Sequence, residues 1–218
     1  MNLGEVNAEL DLIVQDLSLS ANFTRWVNNA ILEIANDFDL PALRLNEPVT
    51  IATTESDWLY DMPTSYMKKL FKCRDEDWNR VTVERDLDDI DSIDIDHNAT
   101  GSNVTNVATR DLIIGIYPRA VDTLKAWYYK QPTALVDNDD EPLCIPNQYH
   151  YRVLVPKIVI INFELIQDMA VNPPHKSLEY WHRKYHAGLY GDTSDMGMIN
   201  CLARDKKPCR TGGSDPLP

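Results

Sequence analysis

Glycine is scarce in this 218-residue chain, which has 8. Cradles for phosphate are built from bare backbone, and no P-loop, G-x-G-x-x-G run or G-x-S-x-G elbow occurs. Nucleotide chemistry and serine-hydrolase chemistry therefore have no recognisable seat. Cysteine is also sparse, at positions 73, 144, 201 and 209, and no pair has C-x-x-C spacing. That excludes the common zinc and redox motifs and leaves free thiols of a reducing compartment as the plain reading; Cys201 and Cys209, in a polar stretch, leave a disulfide open. Basic residues are outnumbered, 21 against 34 acidic, for a net charge of -13. A protein that grips duplex DNA needs clustered Lys and Arg, so that class is disfavoured. Long apolar runs are missing too. The most apolar stretch, Val153 to Ile166, is interrupted by Lys157, Asn162 and Glu164. It falls short of the ~20 residues that cross a bilayer as a helix, so no membrane role is expected. The opening Met-Asn-Leu-Gly-Glu-Val has neither a basic nor an apolar leader region, and no secretory signal is expected.

What is present is a normal apolar share, 44%, arranged with clear periods. Leu3, Val6, Leu10, Ile13, Val14 and Leu17 lie on one helix face, as do Phe23, Val27, Ala30, Ile31, Ile34 and Phe38. Ser20 or Asn22 can cap the second helix, and Pro41 marks its exit. The period then shortens. Strand character is expected around Val49 to Ala52, Trp58 to Met62, Met67 to Arg74 and Val81 to Glu84. Leu112 to Tyr117 and Thr123 to Lys130 follow, with Pro118 and Arg119 proposing a hairpin between them. Asp86 to Asp96 reads as a short acidic helix passing into a loop, and His97 to Thr105 as a flexible turn. Helical spacing returns after Pro146, with Asn147 as a cap and Pro156 predicting a kink or break. Pro174 opens a last helix whose one side carries Leu178, Trp181, His182, Tyr185 and Leu189, and Gly191 ends it.

The order predicts an α+β fold: a helical bundle with an inserted antiparallel β-rich unit and an extended C-terminal tail. The expected organisation is a single domain over 1–192. Its helices span 3–17, 20–38, 147–170 and 174–190, its β-rich insert spans 48–131, and the tail is 193–218.

No residue pattern points to catalysis. The carboxylates crowd between Asp75 and Asp96, which makes a solvated acidic face rather than a pair held in two different environments. The run also lacks the spacing and the Gly of an EF-hand. His182 and His186 share a helix face and could hold a metal, but the general-base Glu of H-E-x-x-H is missing, and Arg183 and Lys184 place two cations beside the proposed cation site. Trp127, Tyr128 and Tyr129 form an aromatic strand better suited to a core than to stacking bases. The expectation is therefore no catalytic residue, no metal and no cofactor. The tail differs: it scatters apolar anchors (Met196, Met198, Ile199, Leu202, Leu217) among cations (Arg204, Lys206, Lys207, Arg210) in an acidic protein.

Four phrases, in this order, carry a resemblance. The first is Trp26-Val27-Asn28-Asn29-Ala30 with Glu33-Ile34-Ala35 and Leu40-Pro41-Ala42-Leu43. The second is Trp58-Leu59-Tyr60-Asp61-Met62-Pro63, leading into Tyr66-Met67-Lys68-Lys69-Leu70. Leu112 to Pro118 comes next, with Leu124 to Pro132, and then Asp137 to Pro142 with Ile145-Pro146 and Tyr149-His150. Across Leu3 to Tyr190 the chain resembles the tailed-bacteriophage head-to-tail adaptor family. The resemblance implies a structural virion protein of the neck, made in the host bacterial cytoplasm. It implies a homo-oligomeric ring, commonly dodecameric, that joins the portal protein to a tail or nozzle protein. DNA would pass through its channel without specific binding. It also implies that the tail runs along the portal, with Met196, Met198, Ile199, Leu202, Arg204, Lys206, Lys207 and Arg210 as contact residues. Another tail-assembly component, such as a tail-completion or tail-tube protein, is the alternative.

Overall fold

Helix α1, Leu3–Val14, starts where Asn2 and Glu5 exchange hydrogen bonds: the Asn2 side chain accepts from the Glu5 N–H (2.9 Å) and Glu5 accepts from the Asn2 N–H (3.0 Å). This reciprocal cap satisfies two donors that the first turn leaves free. Leu3, Val6, Leu10 and Val14 are fully buried, as the spacing requires. After a 3-10 turn, Ser20–Asn22, helix α2 runs over Phe23–Asp37 and buries Trp26, Val27, Ala30, Ile31 and Ile34. Asn22 stands before it without making the expected side-chain cap; the 3-10 turn supplies the entry instead. Strands β1 (Val49–Thr53), β2 (Leu59–Asp61), β3 (Tyr66–Arg74) and β4 (Arg80–Val83) follow, then α3 (Leu87–Ile93). Next come β5 (Asn106–Arg110), β6 (Ile113–Tyr117) and β7 (Asp122–Lys130). A π-helical turn, His150–Leu154, leads into α4 (Val155–Ile161), α5 (Phe163–Met169) and α6 (Leu178–Tyr190). This computed structural model describes residues 1–15, 19–169, 176–191 and 197–199, without the side chains of residues 168 and 169.

The chain divides into two compact units, one of residues 1–42 with 132–218 and the other of residues 43–131. In the helical unit, the stretch after β7 docks on the first two helices. Leu3 and Gly4 donate backbone N–H groups to Asp140 and Asn138 (2.8 and 2.9 Å), and the Asn28 side chain both donates to and accepts from Leu135 backbone (2.9 and 2.8 Å). Lys157 on α4 pairs with Glu33 (3.0 Å) and Asp37 (3.5 Å) on α2. The buried His150 ring donates from Nε2 to the Ile145 carbonyl (2.7 Å), and its Nδ1 lies 3.1 Å from the Met1 nitrogen.

The helix expected over 147–170 is instead four pieces: a 3-10 turn (Asn147–Tyr149), the π-turn, α4 and α5. Pro156 sits in the first turn of α4, where its missing N–H costs nothing. The irregularity falls before it, in the π-turn, and again at Asn162, whose side chain folds back to donate to the Ile158 carbonyl (2.8 Å). The π-turn packs against α6: a Cβ on Gly188 would lie 2.3 Å from the Arg152 carbonyl oxygen, so helix and turn touch backbone to backbone.

The β-rich unit corrects the expected fold. The chain is not a helical bundle bearing a small antiparallel insert. Its strands form one seven-stranded mixed sheet in the order β1-β7-β3-β4-β5-β6-β2. The sheet encloses its own core, which includes Ile51, Leu70, Val81, Val107, Ile114, Ile116, Leu124 and Tyr128. The two ends of the strand order also meet: the Tyr60 hydroxyl on β2 accepts from the Thr54 N–H (2.7 Å) just past β1, so the sheet nearly closes on itself. The β4–β5 pair is parallel, and α3 lies on the crossover that a parallel pair requires. Leu87 and Ile90 of α3 bury against Ala108, with Trp58 and Tyr117 packed beside them, so the acidic stretch has an apolar underside.

The expected β6–β7 hairpin does not form. β6 pairs with β5 and β2, and β7 pairs with β1 and β3. Buried side chains hold the link between them in place of a hairpin ladder. Thr53 Oγ1 donates to the Ala120 carbonyl (2.8 Å), and the Asp122 carboxylate accepts from the N–H groups of Thr123 (2.6 Å), Glu76 (3.1 Å) and Val104 (3.2 Å).

Candidate functional site

Inward and outward positions alternate along β7. Leu124, Ala126 and Tyr128 enter the core, which puts Lys125, Trp127 and Tyr129 on the opposite face of the sheet. β3, beside it, has four cations among its nine residues and no carboxylate. On their shared outer face these side chains interleave. Lys72 lies over the Trp127 ring (3.9 Å to the centroid), Lys125 over Trp78 (4.2 Å) and Arg44 over Phe71 (4.1 Å). Trp78 leans on Trp127 at 6.2 Å, and Phe71 meets Tyr129 edge-on at 5.6 Å. Each such cation–ring contact contributes about 0.5–1 kcal/mol at an exposed site. Among the described residues, Arg44, Lys72 and Lys125 form no ion pair. The result is a cationic, aromatic face on a protein of net charge -13.

Two departures from regular backbone build this face. The β3–β7 register shifts repeatedly between Tyr66 and Lys72, and Lys69 takes a left-handed φ of 53°. Such bulges re-aim side chains. Trp78 is left-handed as well, at φ 66°, and 53% exposed, an unusual state for a bulky residue. Buried Asp75 holds it there. Its carboxylate accepts from Asn79 N–H (2.7 Å), Asn79 Nδ2 (2.8 Å) and Asn103 Nδ2 (3.1 Å), while the Arg74 guanidinium donates to the Trp78 carbonyl. Desolvation pushes the Asp75 carboxyl up, but the hydrogen bonds from Asn79, Asn103 and Asp77 outweigh it and hold it below the ordinary carboxylate range.

Replacing Asp75 by alanine is expected to cost about 2 kcal/mol, because three donors lose a buried acceptor. Urea unfolding checks the figure. Since the folded-state pKa is depressed, the contribution is present above the unfolded carboxyl pKa of about 4 and is lost as pH falls through the folded value. The alanine variant should therefore show a shallower loss of stability below pH 4 than the parent.

The acidic stretch is built as firmly. Asp86 and Asp89 cap α3, and Arg110 clasps Asp86 (2.8 Å) and Asp88 (2.5 Å). His97, left-handed at φ 50°, stacks on Trp58 at 3.6 Å and pairs with Asp91 (3.0 Å). Asp94 accepts from the Ala99 N–H (2.8 Å). The hook turns Ile95 outward, 82% exposed, beside Ile93 at 45%.

The predicted contact residues of the tail fare unequally. Met196, Leu202, Arg204, Lys206, Lys207 and Arg210 lie outside the described residues, as do Cys201, Cys209 and Leu217. Met198 is fully buried and Ile199 half-buried, and Gly197 abuts Gly191 and Tyr190 at the end of α6. His182 and His186 are exposed on α6, where His186 stacks on Tyr190. Among the described residues no three His, Cys, Asp or Glu side chains gather as metal ligands. Burial pushes the free thiols of Cys73 and Cys144 up to about 12 and about 11, which leaves them unreactive.

Sequence reasoning assigned Trp127 to the core and missed the cationic face. Trp127 is indeed 6% exposed, but its cover is Lys72 and Trp78 on the outer side. The alternation of β7, set beside the cations of β3, is the signal that could have found it.

No curated protein matches the chain. The family model described as SU10 adaptor protein matches residues 1–187, which run through both compact units. The match thus takes in the whole sheet unit, the helical unit as far as residue 187 and the phrases from Trp26 to His150, and the chain belongs to the SU10 adaptor protein family.

Proposed function

We propose that the protein is a bacteriophage neck subunit. It assembles as a homo-oligomeric ring, twelve copies on the family resemblance, and joins the portal to a tail or nozzle protein while extending the DNA channel. The observation that carries this reading is the family match over residues 1–187, because it includes the sheet unit as well as the helices. The helical unit buries its own apolar faces and can serve as the ring body. The sheet unit presents the exposed cationic and aromatic face, which supports a role in meeting neighbours. The protein works through contact faces and has no catalytic turnover.

The test mixes the purified chain with its portal protein and measures the mass and image of the complex. A closed ring on the portal, near twelve copies, is the expected product. A single copy bound, or no complex at all, would refute the reading.

Duplex DNA is expected to bind weakly, with Kd on the order of 0.1 mM at physiological salt, the weak end of non-specific affinity. The net charge of -13 opposes phosphate, and the few cations of the sheet face are spaced by aromatic rings. Fluorescence anisotropy with a labelled duplex measures it. Micromolar binding that falls steeply with salt would show that the face grips DNA.

A further inference from the structure

The sheet unit carries two exposed patches of opposite character, and they lie on different strands. The cationic, aromatic face belongs to β3 and β7, with Lys72, Lys125 and the half-exposed Trp78 at its centre. The acidic hook, Asp94 to Asp96, follows α3, which packs on β5 and β6. β4 separates the two pairs in the strand order. We propose that the face of one copy receives the hook of the next, with Ile95 on the rings and Asp94 and Asp96 toward Lys72 and Lys125. This rests on the ring reading above and names the surface that closes it.

Three observations favour a second copy as the occupant. The charges are complementary: the face presents cations that make no ion pair among the described residues, and the hook presents carboxylates around an isoleucine that is 82% exposed. The hook is pre-shaped, pinned by the His97 stack on Trp58 and by the Asp91 and Asp94 contacts, so docking it orders little new chain. The two patches are also distinct. A contact between them is head-to-tail rather than isologous, which is the class of interface a cyclic ring requires. An apolar residue set among aromatics with a charged rim is the usual build of a specific contact.

Sedimentation velocity of the full chain over a concentration series, at low and high salt, provides the test. The wild type should associate, more weakly as salt rises. The face variant K72E/K125E and the hook variant I95K/D96K should each associate at least about tenfold more weakly, with unchanged circular dichroism. Mixed in equal amounts, the two variants should form a dimer and nothing larger, because each keeps one working patch. Wild-type assembly by both variants would place the interface elsewhere and overturn this inference while leaving the ring reading intact. A wild type that stays monomeric throughout would overturn it too; the ring reading is judged separately, on the portal complex. If K72E/K125E assembles normally but loses binding to a single-stranded oligonucleotide, the face is a nucleic-acid surface and the inference fails.

Discussion

Replacing Gly188 by leucine is expected to lower the unfolding midpoint by about 6–12 °C, the equivalent of about 3 kcal/mol for a chain of this size. The reason is backbone contact. A Cβ at position 188 would lie 2.3 Å from the Arg152 carbonyl oxygen, 2.8 Å from its carbon and 2.9 Å from a Val153 methyl. None of these atoms is the free end of a flexible side chain, apart from the short valine. α6 would have to lift from the π-turn, and the buried Trp181, Tyr185 and Leu189 on the same helix would lose packing with it. Gly4 provides the contrast. Its nearest neighbours, the Asn138 Cβ and carbonyl oxygen, stand at 3.3 Å, and the chain there can give by a few tenths of an ångström. An alanine at position 4 should therefore stay within about 1 kcal/mol of the parent, because helix propensity favours it. Thermal unfolding followed by circular dichroism separates the two cases. Equal, small shifts at both positions would mean that α6 does not press on the turn.

Deletion of residues 200–218 is expected to leave the fold unchanged and to abolish retention on the portal. The segment carries Leu202, Arg204, Lys206, Lys207 and Arg210, a cationic set with apolar anchors in an acidic chain. A ring repeats each weak contact around its axis, so a modest loss per copy becomes a complete loss of binding. The cut belongs after Ile199 rather than after Gly191, because Met198 is fully buried and an earlier cut would remove it from the helical unit. Portal pull-down with the truncated chain reads the result, with thermal unfolding as the control for folding. Undiminished retention would remove the tail from the portal contact.

The helices at the start of the chain were legible because their buried residues recur at i, i+3 and i+4 with nothing to compete: Leu3, Val6 and Leu10, then Val27, Ala30 and Ile34. β3 and β7 were legible as strands from a local signal of a different period, side chains that alternate along the chain. Their neighbours were not. The strand order places β7 between β1 and β3, partners some 50 to 80 residues earlier in sequence, and no local signal records that choice. Pro118 and Arg119 therefore looked like a hairpin turn, although Thr53 and Asp122 satisfy the backbone there from a distance. β5 escaped notice because Asn106–Arg110 offers only Val107 and Ala108 as apolar residues, and it pairs in parallel with β4 across the α3 crossover. Pro156 announced a break in the long helix, but the irregularity falls before it, in the π-turn that packs against Gly188 of α6. The acidic stretch was read as a solvated helix and loop. Its upper side fits that reading, while the burial of Leu87 and Ile90 depends on Ala108 and Trp58. The cations of the sheet face stand in plain view at positions 68, 72 and 125, yet only the β3–β7 pairing gathers them over aromatic rings.

The most direct test of the neck-adaptor reading is an electron cryo-microscopy map of the virion neck, with the chain fitted between portal and tail. A closed ring of this protein at that level, about twelve copies around the channel, is the expected result. Density for the chain in the tail tube, or none at the neck, would contradict it.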